Sequence, residues 1–259
     1  MRIVKSTFAA FVAVASLAFV AGCGDDKGDT SGGSTPSASP SPSKSVSATD
    51  RFAEAAELVR GTPYKFNVKG GGVTYEGSSN PLAGIVIGKL TAQITVEGQL
   101  SPSEYLLKFS GLPLPGFDGS KWFKVDPEKL TSPDAVALGD HTDPTGLQSL
   151  ADAVGTVEST DGKQFKGTFD FTKATWGPVD DDAVKALGDK AKAVPFEATA
   201  DDQGHLTSLK ITVPAFGSEK EQVYTSTYSD FGTQVQPASP SAADVIEAPD
   251  ALYTLLNSR

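Results

Sequence analysis

Two histidines, a single cysteine and a run of three aspartates are the residues of this chain best suited to chemistry. His141 lies two residues from Asp143, and a carboxylate can orient a neutral imidazole for general-base work and stabilise the imidazolium that forms. No Gly-x-Ser-x-Gly turn accompanies the pair to present a nucleophile. His205 follows the turn glycine Gly204 at the start of an expected strand. Neither histidine has a second histidine or a cysteine at metal-ligand spacing, so both read as ordinary surface residues. Asp180, Asp181 and Asp182 are acidic enough for calcium, but they lack the alternating ligand positions and turn glycine of a calcium loop. They read instead as a helix start, where the helix dipole favours negative charge. The expectation is a protein without catalytic activity, bound metal or cofactor.

Cys23 is informative through its position. Arg2 and Lys5 form a basic start, an apolar run from Thr7 to Val20 is interrupted only by Ser16, and Val20-Ala21-Gly22-Cys23 follows. Charge, a short apolar core and small residues before a cleavage point describe a secretory signal peptide over residues 1–22. The apolar stretch is shorter than the roughly 20 residues of a membrane span. The Val-Ala-Gly-Cys ending resembles the lipobox of bacterial lipoproteins, which implies a diacylglyceryl thioether on Cys23 and cleavage just before it. The expected location is the extracytoplasmic face of the cell membrane, held there by acyl chains. With the only thiol so used, no disulfide is available to the fold. The net charge of −10 becomes more negative once Arg2 and Lys5 leave with the leader. Nucleic acid is therefore not an expected partner, because phosphate contacts need clustered Lys and Arg.

Residues 23–48 comprise the lipidated cysteine and a Gly, Asp, Ser, Thr and Pro segment in which Val46 is the only large apolar side chain. Such a composition cannot offset its ordering entropy, and it reads as a disordered tether with a reach of roughly 25–30 Å. A single domain is expected over residues 49–259. Thr49 or Asp50 can cap a first helix, in which Phe52, Ala55, Ala56 and Val59 share a face and Gly61-Thr62-Pro63 stops the run. The period then changes to two. Tyr64, Phe66 and Val68 alternate with polar residues; so do Leu90, Ala92, Ile94 and Val96 in one expected strand, Tyr105, Leu107 and Phe109 in another, and Phe165, Phe169 and Phe171 in a third. One apolar and one polar face suit antiparallel strands. Asp118-Gly119 precedes a strand at Trp122–Val125, Asp161-Gly162 marks a hairpin, and Asp202-Gln203-Gly204 divides Pro195–Ala200 from Leu206–Val213, with a last strand at Gln222–Tyr228. Helices are expected at Pro144–Val154, Asp180–Ala193 and Pro249–Asn257.

This order of lipobox, tether, helix, strand meander, Trp122 strand, helix, hairpin, helix, hairpin and final strand resembles the LppX/LprG-type lipoproteins of mycobacteria and their actinobacterial relatives. The local cues are Asp118-Gly119-Ser120-Lys121-Trp122, Asp161 to Thr168, Val194-Pro195-Phe196-Glu197 before the Asp202 turn, and Tyr228-Ser229-Asp230-Phe231-Gly232. The resemblance implies an α+β fold of the LolA/LppX kind, an antiparallel half-barrel sheet wrapped around a few helices. It also implies a hydrophobic cavity for acyl chains of envelope lipids or lipoglycans. The Gly77–Gly88 segment, the Leu112-Pro113-Leu114-Pro115 loop and the residues after Pro237 depart from that pattern.

If the alternation holds, Phe66, Val68, Ile94, Tyr105, Leu107, Phe109, Phe165, Phe169, Phe171 and Phe196 face the inside of the sheet and are candidates to line such a cavity. Ala92, Gly167 and Ala198 on the same faces would leave room. The same side chains could equally fill a closed core, since core and apolar pocket share a composition. Two readings stand: a membrane-anchored carrier of an acyl lipid or glycolipid, or a non-catalytic interaction or sensory module on a filled scaffold, with loops such as Leu112–Phe117 as the contact surface.

Overall fold

The computed structural model describes residues 46–112, 117, 119–132, 136, 138–175 and 177–258. The leader, Cys23, the tether up to residue 45, residues 113–116 and Asp118 lie outside the described residues. From Ser45 onward the chain forms one unit with its own core. Helix α1 runs over Ala48–Arg60. Its cap is Ser47, two residues before Thr49 and three before Asp50: the Ser47 hydroxyl accepts the Asp50 N–H at 3.1 Å and donates to the Asp50 carboxylate at 2.7 Å. Ser47 and Asp50 have the Ser-x-x-Asp spacing of a capping box, with the carboxylate on the Ser47 hydroxyl.

Twelve strands among the described residues make one open sheet: β1 Tyr64–Gly70, β2 Val73–Asn80, β3 Ile85–Thr91, β4 Thr95–Ser101, β5 Glu104–Ser110, β6 Trp122–Val125, β7 Val154–Glu158, β8 Gln164–Phe169, β9 Val194–Ala200, β10 Leu206–Val213, β11 Gln222–Ser229 and β12 Val245–Glu247. Their spatial order is β12-β6-β5-β4-β3-β2-β1-β11-β10-β9-β8-β7. Two antiparallel meanders, β1 to β6 and β7 to β11, are thus joined where β1 pairs with β11. The exception to antiparallel pairing is β12, which lies parallel to β6. With α1, α2 Leu147–Asp152, α3 Asp181–Leu187 and α4 Asp250–Leu256, the fold is α+β: a large, mostly antiparallel open sheet with a few helices.

Three expectations change. The single strand read from Leu90 to Val96 is two strands around a turn at residues 92–94, closed by the Ala92 N–H on the Ile94 carbonyl at 2.9 Å. Leu90 and Val96 are register partners, so an odd-numbered turn returns the chain in phase and the alternation runs through it unbroken. Ala92 is consequently exposed. Strand β2 gave no signal because its inner positions after Tyr75 are Gly77 and Ser79; what announces it is the Gly71-Gly72 hairpin, with both residues at positive φ. The helix expected over Asp180–Ala193 stops at Leu187, because Gly188 takes φ +58° and the chain tightens into a 3-10 turn.

The inner face of the sheet is packed by α1 and by three aromatic groups. Phe52 of α1 sits 5.0–6.2 Å from the rings of Phe165, Phe169 and Phe196. Phe109, Phe117 and Phe123 form a second group, and Tyr64, Phe66, Tyr75 and Tyr228 a third. Between them runs a row of glycines in register, Gly77, Gly88 and Gly98. A Cβ there would meet the Phe66 ring at 2.8 Å and the Tyr75 ring at 2.7 Å, and would collide with Leu138 at Gly98. The missing side chains are the space those three residues occupy. Gly167 works the same way, since the Phe196 ring fills the room it leaves.

The residues after Pro237, which departed from the expected pattern, form a strap. Residues 237–240 lie against β4 and β5, β12 extends the β6 edge, and α4 buries Leu252 and Leu256. Asn257 fixes the end by accepting the Thr131 N–H and donating to the Lys129 carbonyl. Replacing Phe52 by Ala is expected to lower stability by about 3–5 kcal/mol, measured by urea unfolding. A loss under about 1 kcal/mol would mean the Phe165–Phe169–Phe196 group does not depend on α1.

Candidate functional site

A cavity of about 310 Å³ lies between the sheet and the segments that cover it. Its floor is one register row: Leu90 pairs with Tyr75, Tyr75 with Val68, and Val68 with Ser226, so four strands from β3 to β11 each contribute one side chain. Ile211 and Tyr224, also partners, extend the floor. Leu138, Pro144, Thr145 and Leu150 form the cover on one side and Gly177 and Pro178 on the other, with the Gly70-Gly71 turn at the rim. The Tyr224 ring packs on Gly70 and Gly71, where any Cβ would displace it. The volume is at the low end of ligand sites, about 300–1,000 Å³. Among the described residues, no Asp, Glu, Lys, Arg or His lines it. Its polar side chains among the described residues are hydroxyls, of which Tyr75 donates to the Leu138 carbonyl at 2.7 Å.

Below this cavity the polar groups pair with one another. The Tyr228 hydroxyl reaches Thr145 Oγ1 at 3.4 Å. Burial pushes the Tyr228 hydroxyl up to about 12, and burial with Tyr228 beside it pushes Tyr64 higher still. Tyr75 is likewise raised, so these hydroxyls are neutral donors at any physiological pH. Asp143 caps α2, accepting the Leu147 and Gln148 N–H groups at 2.9 Å each. Burial raises its carboxyl pKa against those two bonds and the nearby Arg60.

Of the residues singled out in the sequence, Val68 lines the cavity. The others are placed in the packing around it. Phe66 lies against Tyr75 at 4.7 Å and over Gly77. Phe165, Phe169 and Phe196 surround Phe52, with Phe169 stacked on Phe196 at 4.3 Å, and Phe171 is buried beyond the end of β8. Phe109 belongs to the Phe117–Phe123 group, and Leu107 is buried beside Gly98. Tyr105 holds His141 Nδ1 at 3.2 Å, and Ile94 is half-buried in the β3–β4 turn. Sequence reasoning missed Tyr75 because β2 was unread, and Leu138, Thr145 and Pro178 because they stand in irregular segments without periodicity. The one signal for the first was the triple glycine at 70–72.

The histidines are half-buried rather than ordinary surface residues, each against an aromatic ring: His141 beside Tyr105, and His205 stacked on Phe231 at 4.3 Å. His205 Nδ1 lies 3.2 Å from Asp201. The Asp143 carboxylate is turned to the start of α2, and Asp140 is the acid near His141, at 3.7 Å. Asp180 caps α3 through the Ala183 N–H at 2.8 Å.

Because the folded state holds the Asp143 proton more tightly than the unfolded chain does, its contribution favours folding below about pH 4 and is lost as pH rises through the raised pKa. The stability of the parent protein minus that of Asp143→Asn should therefore fall with rising pH and then level, in paired urea titrations. A difference that grows with pH would show that the α2 N–H groups and Arg60 outweigh burial.

No protein-family model and no curated protein sequence matches this chain. Among solved structures it is similar to a LolA superfamily protein from Nitrosomonas europaea, at 10% sequence identity and a TM-score of 0.26, over 81% of this chain and 98% of that one.

Proposed function

We propose that this chain is a membrane-anchored, non-catalytic lipoprotein that holds one alkyl chain of an acyl lipid or glycolipid between its sheet and the Leu138–Leu150 cover. The observation that carries the reading is the cavity of about 310 Å³ whose lining, among the described residues, holds no charged side chain. An alkyl chain entering such a space gains about 25 cal/mol for each Å² of apolar surface removed from solvent. A charged head group would lose its hydration there, so the head stays at the Gly70-Gly71 rim and the tail goes in. The anchor is Cys23, and the tether between it and the Ser47 cap of α1 lets the domain approach and leave the bilayer surface. The acidic exterior gives no attraction for nucleic acid.

A filled-core interaction module is the second reading, favoured by the three aromatic groups that occupy most of the inner face. Native mass spectrometry on the chain from residue 24 onward separates the two. Carriage predicts a discrete added mass that extracts as lipid, and Val68→Trp should abolish it by filling the floor. Added alkyl probes should then bind at least about tenfold more weakly, a loss of 1.4 kcal/mol or more. A bare protein that also refuses added lipid would sink the carrier reading. For the anchor, growth with an alkyne-tagged fatty acid should label the parent chain and not Cys23→Ala. Label retained without Cys23 would place the acyl group elsewhere.

A further inference from the structure

We infer that Leu138 is the end wall of the cavity and sets the longest alkyl chain it accepts. The inference rests on reading the cavity as an alkyl-chain site. Leu138 belongs to two spaces at once. It is one of the residues around the cavity, and its Cδ1 occupies the place that a Cβ on Gly98 would take. Gly98 continues the glycine row through Gly88, whose missing side chain is covered by the Tyr75 ring, itself part of the cavity floor. The glycine row is therefore a depression in the sheet filled in turn by the Phe66 ring, the Tyr75 ring and Leu138, and Leu138 fills its far position over Gly98.

The wall is held in place. The Tyr75 hydroxyl donates to the Leu138 carbonyl at 2.7 Å. Gly139 allows the chain to pass close over Pro144, where a Cβ would come within 2.9 Å of the Pro144 carbonyl oxygen. The Asp140 carboxylate accepts both the backbone and hydroxyl protons of Thr142 at 2.7 Å, and Asp143 ties the following residues to α2. Leu138 is fully buried. A side chain fixed by that many neighbours has a defined reach, which is what a length limit requires.

The test is a homologous series of straight-chain primary alcohols, binding to the chain from residue 24 onward by displacement of a fluorescent alkyl probe. Uncharged heads match the uncharged lining. In the parent protein, affinity should rise about fourfold per methylene, the gain for burying one, and then break at a definite length. Leu138→Ala should move the break to longer alcohols by about three carbons, the number the substitution deletes. Leu138→Val, a gentler change that guards against loss of fold, should move it by a smaller step in the same direction. A purely structural role would weaken every alcohol together and leave the break in place. That outcome, in either folded variant, overturns the inference and leaves the lipid site standing. A parent series that binds with no break also overturns it. If no alcohol binds the parent or the variants, the alkyl-chain reading itself fails, and the length limit with it.

Discussion

Everything in this fold depends on the pairing of β1 with β11. Five register pairs, from Lys65 with Ser229 to Lys69 with Thr225, join two meanders that are otherwise built from neighbours in sequence. The partners are separated by most of the domain, so the pairing carries a large loop-closure entropy that local hairpins avoid. What offsets it is the apolar content of the seam. Tyr64, Phe66 and Tyr228 are buried there, and Tyr64 lies 5.7 Å from Tyr228 across the join. The floor of the cavity crosses this same seam, since Val68 of β1 meets Ser226 of β11. The cavity is thus a property of the assembled sheet and of neither half.

Much of the architecture was legible in the sequence, and the reasons can be given residue by residue. The α1 face, the Asp161-Gly162 and Asp202–Gly204 turns and strands β5, β6, β8, β9, β10 and β11 follow from period and turn chemistry, which are local. What failed was also local in origin. Parity hid the β3–β4 turn, because three turn residues preserve an alternating pattern. Composition hid β2, because glycine and serine occupy inner positions that normally announce a strand. The short β12 pairs in parallel with a distant strand and has no pattern of its own.

The site was less legible than the fold, and the cause is volume. Aromatic side chains on an inner face were read as possible walls, yet large flat rings pack well against one another and tend to close space. Here Phe169 on Phe196 and Phe117 on Phe123 do so directly. Space persists where Val68, Leu90 and Ser226 stand in the same inner row as Tyr75 and the cover is irregular backbone with Gly139, Pro144, Gly177 and Pro178. Medium side chains opposite a loop that cannot follow the sheet leave a gap. No periodicity in the sequence reports that mismatch, because it arises between segments that are far apart in the chain.

The strap formed after Pro237 has a consequence for the company this domain keeps. Strand β6 would be a free edge, a row of unsatisfied backbone groups open to any extended chain. Its three-residue parallel partner β12 is weak as a strand, but it is delivered by the same polypeptide and pinned beyond by α4 and Asn257. A tethered segment of this kind acts at an effective concentration on the order of millimolar. An outside strand at cellular concentrations must compete with that intramolecular rival before it can add to the sheet. The protein in effect carries its own competitive inhibitor of strand addition at β6.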